Sequence, residues 1–178
     1  MRLNLPVTGR EREVPPGVEL VSATTAKGVI THANEAFVAV SGFAEEELLG
    51  QAHNIVRHPD MPPEAFAELW RCLKAGRPWM GIVKNRCKNG DHYWVDAYVT
   101  PLQEGERIVG HESVRVRAEP ELVRRAEAAY ARLRRQRRRG RPSRPLWRAP
   151  GLGARAAAAA GATGAAALAG AWALGAWG

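Results

Sequence analysis

WMGIVKNRCKNGDHYWVDAYVTPLQEGERIVGHESVRVR, residues 79–117, is the stretch that decides the fold. It is rich in β-branched and aromatic residues, and two turn signals divide it: Asn89-Gly90, a favoured two-residue hairpin turn, and Glu104-Gly105. Three successive strands are therefore expected at 79–88, 92–102 and 107–117. The middle one alternates, placing Tyr93, Val95, Ala97 and Val99 on one face. The third draws its strand character from Ile108, Val109, Val114 and Val116.

Working upstream, Pro62 and Pro63 open an amphipathic run over 64–75, in which Phe66, Leu69, Trp70 and Leu73 recur at the spacing of one helical face. Just before it lies HNIVRHPDMPP, residues 53–63. There Arg57, His58 and Asp60 give a fixed cation, a titratable ring and a carboxylate within four positions, a density of polar chemistry unsuited to a core. A cluster beside a helix start can hold an anionic or hydrogen-bond-accepting ligand edge, because the free N–H groups and the positive dipole end lie there. Further upstream, 34–40 and 45–49 read as short helices broken by Ser41-Gly42 and closed by Gly50, with Asn34 a good helix cap. Residues 19–25 and 29–31 read as strands joined by a turn at Lys27-Gly28. Two strands, short helices and three strands describe an α+β domain: a five-stranded antiparallel sheet covered on one face by helices.

Residues 1–17 hold mixed charges and three prolines without an apolar run, so a mobile or lightly docked lead-in is expected. Downstream, Glu119-Pro120-Glu121 starts a helix whose apolar face is marked by Leu122, Ala126, Ala129 or Tyr130, and Leu133, and Gly140 ends it. The net charge of +8 is localised: arginines crowd 124–148, while 1–120 is nearly balanced. A basic linker at 141–155 leads to 156–178, a charge-free, Ala/Gly-rich segment that as a helix would reach ~35 Å and cross a ~30 Å hydrocarbon core. The arginines before it satisfy the positive-inside rule. Cys72 and Cys87 follow neither a metal-binding nor a disulfide spacing, which suits a reducing cytoplasm.

The order of elements resembles a PAS sensory domain, and the aerotaxis-receptor PAS subfamily, which binds FAD, in particular. The resemblance is carried by ITHANEAFVAVSGF at 30–43, HNIVRHPDMP at 53–62 and PWMGIVKNRCKNGDHYWV at 78–95. It implies a PAS domain over 18–118, followed by an amphipathic signalling or dimer helix over 119–140 and a transmembrane segment over 156–178. It also implies a flavin site lined by Asn34, Arg57, His58, Asp60, Trp79 and Asn85. Arg57 and His58 would hold phosphate or ribose oxygens, with Asp60 orienting one of them. Trp79 would border the ring, and Asn34 and Asn85 would read its polar edge. The expected function is a redox or oxygen sensor for energy taxis that binds FAD non-covalently. Its expected setting is a homodimer, cytoplasmic but anchored in the bacterial inner membrane, signalling to chemoreceptor components or to a separate output protein. The subfamily continues past its membrane segment into a HAMP domain and a helical signalling hairpin, neither of which is present before Gly178. Blue-light relatives place a cysteine beside the flavin, whereas 54–57 carries no thiol. No nucleophile–base pairing, P-loop or metal motif points to an enzyme. The alternatives are a haem- or small-ligand-binding PAS module, with His58 or another histidine as axial ligand, and a nucleic-acid-associated protein using its arginine run.

Overall fold

A computed structural model describes residues 4–140. Its elements are β1 (Leu20–Thr25), β2 (Ile30–Ala33), α1 (Glu35–Ser41), α2 (Glu45–Leu48), a single 3-10 turn (His53–Val56), α3 (Pro63–Lys74), β3 (Trp79–Arg86), β4 (His92–Glu104), β5 (Arg107–Arg117) and α4 (Pro120–Arg138). The five strands form one antiparallel sheet in the order β2-β1-β5-β4-β3. The first and last strands in the chain thus meet at the centre, with Val21 opposite Val114 and Ser22 opposite Ser113.

Local chemistry fixes most boundaries. Asn34 caps α1, its Oδ1 accepting from Phe37 N at 2.9 Å and from Val21 N at 3.0 Å, so one side chain ties the helix start to the sheet. Pro63 opens α3, and Gly76, at φ +67°, follows its end. The hairpin between β3 and β4 departs from expectation. β3 stops at Arg86, and the connection is a five-residue loop closed by Cys87 N donating to Asp91 O at 2.7 Å. Asn89 Oδ1 accepts from Asp91 N at 3.0 Å, so the asparagine bonds across the loop instead of seating a two-residue turn.

The structure bears on three further expectations. The short helices lie on one face as expected, α1 to α3 covering the inner face, and the amphipathic helix α4 that follows the domain packs on the outer face of β3 and β4. Tyr130 stacks on Trp94 with ring centroids 6.5 Å apart and donates its hydroxyl to Ile82 O at 2.5 Å. β4 is consequently covered on both sides, with Tyr93, Trp94 and Val95 all buried. The apolar face of α4, the expected signalling or dimer helix, is engaged by its own domain through the buried Ala126, Tyr130 and Leu133. The lead-in, expected to be mobile or lightly docked, is docked on the sheet and the 53–57 segment. Asn4 Nδ2 donates to Asn54 O (2.8 Å) and Arg57 O (2.9 Å), Arg86 donates to Pro6 O (2.8 Å), and residues 10–12 pair with His92 through backbone bonds. Val14 is buried. Among the described residues no helix is long and apolar enough to cross a membrane; the linker 141–155 and the candidate span 156–178 lie outside them.

Candidate ligand-binding site

Side chains alternate along strands, so one register defines the floor of the inner face. It runs from Ser22 and Thr24 on β1, through His111, Ser113 and Arg115 on β5 and Ala97 and Val99 on β4, to Trp79, Val83 and Asn85 on β3. The helical stripe Phe66, Leu69, Trp70 and Leu73 of α3 and the segment 52–57 close over it, and Lys27 and Gly28 border it. The cavity, open to solvent at the border formed by Lys27, Ala52 and Asn54, measures about 220 Å³.

The floor is apolar at its centre and polar at two poles. At one pole stand Arg57 and Asn85, whose backbones form a bridge. The Arg57 guanidinium lies 4.0 Å from the Phe66 ring centroid and donates through Nη2 to Met61 O at 3.2 Å. At the other pole, Arg115 Nη2 donates to His53 Nε2 at 2.7 Å and to Ser22 Oγ at 3.1 Å, and the His53 ring stacks on Phe37. Arginine has no acceptor, so Nε2 is the unprotonated nitrogen of a neutral imidazole. Burial, reinforced by the Arg115 charge, lowers the His53 pKa to about 3.

Five buried polar atoms that line this cavity carry no hydrogen bond: Arg57 Nε, Asn85 Nδ2, His111 Nδ1, Ser113 Oγ and Arg115 Nη1. Asn85 lies beside Tyr93, but neither its Nδ2 nor the Tyr93 hydroxyl completes a bond. Each such atom costs about 1–3 kcal/mol when nothing pairs with it. Their convergence on one cavity marks a place for a partner that is itself polar at its edges.

Of the six residues expected at the site, the cavity gathers Arg57, Trp79 and Asn85. Asn34 is elsewhere, with both ends of its amide already engaged, Nδ2 donating to Glu19 O at 2.9 Å. His58 and Asp60 stand outside the cavity lining. His58 is buried and its pKa lowered to about 4, by burial first and then by the Lys84 charge, against the opposing pull of Asp60. It is neutral at pH 7, its Nδ1 accepting from Asp60 N at 3.1 Å, and so offers no cation for a phosphate. Burial pushes the Asp60 carboxyl up, but the Lys84 hydrogen bond at 2.9 Å and nearby positive charges outweigh it and hold the carboxyl below its ordinary value. Together these two residues fasten the 57–61 turn to β3.

Sequence reasoning missed the β1/β5 pole. It took β5 as a strand through Val114 and Val116, yet Val116 is 41% exposed while His111, Ser113 and Arg115 are buried. The polar residues at i, i+2 and i+4 of a central strand were the available signal.

One packing detail fixes the floor. Trp79 lays its indole over Gly81, so closely that a Cβ at Gly81 would fall 2.6 Å from Cζ2 and Cη2 of the ring. Gly81→Ala is expected to cost about 1–3 kcal/mol, lowering the urea midpoint with the m-value unchanged. Trp79→Ala in the same chain should recover most of that loss in a double-mutant cycle; additive effects would show that the ring and the glycine are not coupled.

A five-stranded antiparallel sheet in the order β2-β1-β5-β4-β3, with short helices closing over a cavity on its inner face, is the architecture of a PAS domain. Residues 30–115 match the PAS fold family, and the domain belongs to it. More particularly, the chain is a relative of aerotaxis receptors: it is 50% identical over 127 residues to the aerotaxis receptor of Escherichia coli, covering 71% of this chain and 25% of that protein. It is also 34% identical over 91 residues to a nitrogen fixation regulatory protein of Klebsiella pneumoniae, covering 51% of this chain and 18% of that protein. The chain thus spans a quarter or less of the length of these relatives. Among solved structures, the light state of the Aureochrome1 LOV blue-light photoreceptor aligns with a TM-score of 0.55 at 19% identity, covering 60% of this chain and 90% of that one, a likeness of fold.

Proposed function

We propose that this domain binds FAD non-covalently and reports its redox state as a sensor for energy taxis. The observation that carries the reading is the set of five unpartnered buried polar atoms around an apolar floor. A flavin ring is flat and apolar on its faces, and it alternates donors and acceptors along one edge. Trp79, Phe66 and Val99 offer contact to the faces, while Asn85 and Arg57 offer donors to the edge. At about 220 Å³ the cavity falls below the usual range for a wholly enclosed drug-sized ligand. A ring system fits such a space, and the rest of a dinucleotide would continue at the border, where Lys27, Ala52 and Asn54 are exposed. Bound FAD supplies reversible electron uptake; the chain supplies binding, orientation and the electrostatic setting.

A thiol adduct on the ring has no residue to form it. Neither cysteine lines the cavity; Cys72 lies along α3, and burial pushes the Cys87 thiol up to about 11 while it donates to Val40 O at 3.3 Å. For the haem alternative, His58 stands outside the cavity and His53 Nε2 is already engaged, which leaves His111, whose unpartnered Nδ1 lies at the cavity, as the histidine that reading would need; the spectrum separates the two. On this reading the signal leaves through α4 to chemoreceptor signalling components or to a separate output protein. The setting is a homodimer on the cytoplasmic side of the bacterial inner membrane. The support is the kinship with a receptor and the direct step from β5 into α4.

The purified protein is expected to be yellow and to release FAD on denaturation. Asn85→Ala should lower its affinity about ten-fold or more, the loss of one buried hydrogen bond. A Soret band, or a colourless protein that takes up no FAD on reconstitution, overturns the reading.

A further inference from the structure

The flavin reading leaves one buried charge without a task. Arg115 is 5% exposed, and none of the ion pairs among the described residues includes it. Its surroundings are neutral: Ser22 and the uncharged His53 accept from Nη2, and Phe37 lies under the guanidinium with its ring centroid 5.2 Å from Cζ. Nη1 is buried, unpartnered and part of the cavity lining. Burying a cation without a counter-charge is costly, and burial lowers the Arg115 pKa to about 10. A merely structural pin between β5 and the His53 turn would not require a charge, since a neutral amide can donate the same bonds.

We propose that Arg115 is the charge-reading residue of the cavity: its free Nη1 meets a carbonyl-type acceptor edge of the ligand ring, and its charge makes the cavity hold the anionic state of that ligand more tightly than the neutral one. The inference rests on the flavin reading for the identity of the ring. Taking up two electrons and one proton from a reductant leaves a flavin ring with one additional negative charge. A fixed buried cation favours that state, and no carboxylate stands by to cancel it. Neutral His53 completes the device, because an acceptor at Nε2 fixes the guanidinium without offsetting its charge.

The test uses the full chain reconstituted with FAD and titrated with dithionite. Arg115→Gln is expected to weaken binding of reduced relative to oxidised FAD at least ten-fold, which lowers the midpoint potential by about 30 mV for a two-electron couple. Arg115→Lys should recover half or more of that shift. A potential within about 15 mV of wild type, which is a three-fold change or less in the affinity ratio, or a shift that lysine does not recover, overturns the inference even though flavin is bound. Thermal unfolding of the FAD-free chains gives the second arm. Without a ligand the buried charge is a burden, so Arg115→Gln should unfold at the same temperature as wild type or higher. A lower unfolding temperature, or failure to fold, shows a structural pin and overturns it. If wild type takes up no FAD the flavin reading falls, and the FAD-free arm alone then decides whether Arg115 is held for a ligand.

Discussion

Acidification from pH 7 to pH 4 is expected to unfold the FAD-free domain, with on the order of 3 kcal/mol of stability lost through His53 alone. The residue as a whole is partly exposed, but its ring is enclosed by Phe37, Ser22 and Arg115. Its folded pKa of about 3 lies below the unfolded value of 6.5, so the unfolded chain takes up a proton that the folded ring refuses. The stabilising contribution is therefore complete above pH 6.5, falls steadily below it and levels off only near pH 3. His58, with a folded pKa of about 4, adds a loss of the same sign between 6.5 and 4, and His92 and His111 are shifted in the same direction by burial. Asp60, held below its ordinary value, contributes a further loss only at still lower pH. Urea midpoints at pH 7, 5.5 and 4 measure the slope. His53→Gln retains an acceptor for Arg115 and should flatten that slope by roughly one proton per unfolding event. A variant as acid-sensitive as wild type would assign the effect to the other histidines.

The second large effect concerns α4. Tyr130 contributes a stacked ring on Trp94 and a buried hydroxyl bonded to Ile82 O, and its loss removes both contacts. Tyr130→Ala should cost about 3–5 kcal/mol, by analogy with other buried aromatic truncations. Tyr130→Phe should cost about 1–2 kcal/mol, the share of the hydrogen bond. The two losses should differ in place as well as size. α4 rests on the outer face of the sheet while the main core lies on the inner one, so the alanine variant should release 120–138 to hydrogen exchange and leave β4 and β5 protected. Uniform loss of protection through the sheet would mean that the helix is an integral part of the core.

The sequence was most legible where local rules and tertiary packing agree. β5 begins and ends at the expected residues because Glu104-Gly105 forces a turn and nothing competes with it. α3 starts at Pro63 because a proline-opened amphipathic run has few alternatives. Of the residues expected at a ligand, those that line the cavity, Arg57, Trp79 and Asn85, all come from the conspicuous 53–62 and 78–95 motifs. Asn34 misled because the same amide that suits a ligand edge also suits a helix start, and here the backbone took both of its ends. His58 and Asp60 misled because adjacency in sequence says nothing about which side of a turn a side chain leaves from. Arg115 was hidden by a habit of strand reading, in which the apolar set is assumed to face inward; on β5 the sense is inverted because the inner face borders a cavity. The docking of the lead-in runs largely through backbone groups, the carbonyls of Leu5 and Pro6 meeting Arg86 and residues 10–12 pairing with His92, and backbone partners leave no trace in side-chain patterns.

Only Ala118 and Glu119 separate β5 from α4. Ala118 is buried, and Pro120 stiffens the first turn that follows. The joint therefore has almost no slack. The strand that carries Arg115 is coupled to the helix as a lever is to its arm, so a small slide or tilt of one becomes a displacement of the other. Any machinery attached beyond Arg138 would be handed a change of position instead of a change between order and disorder.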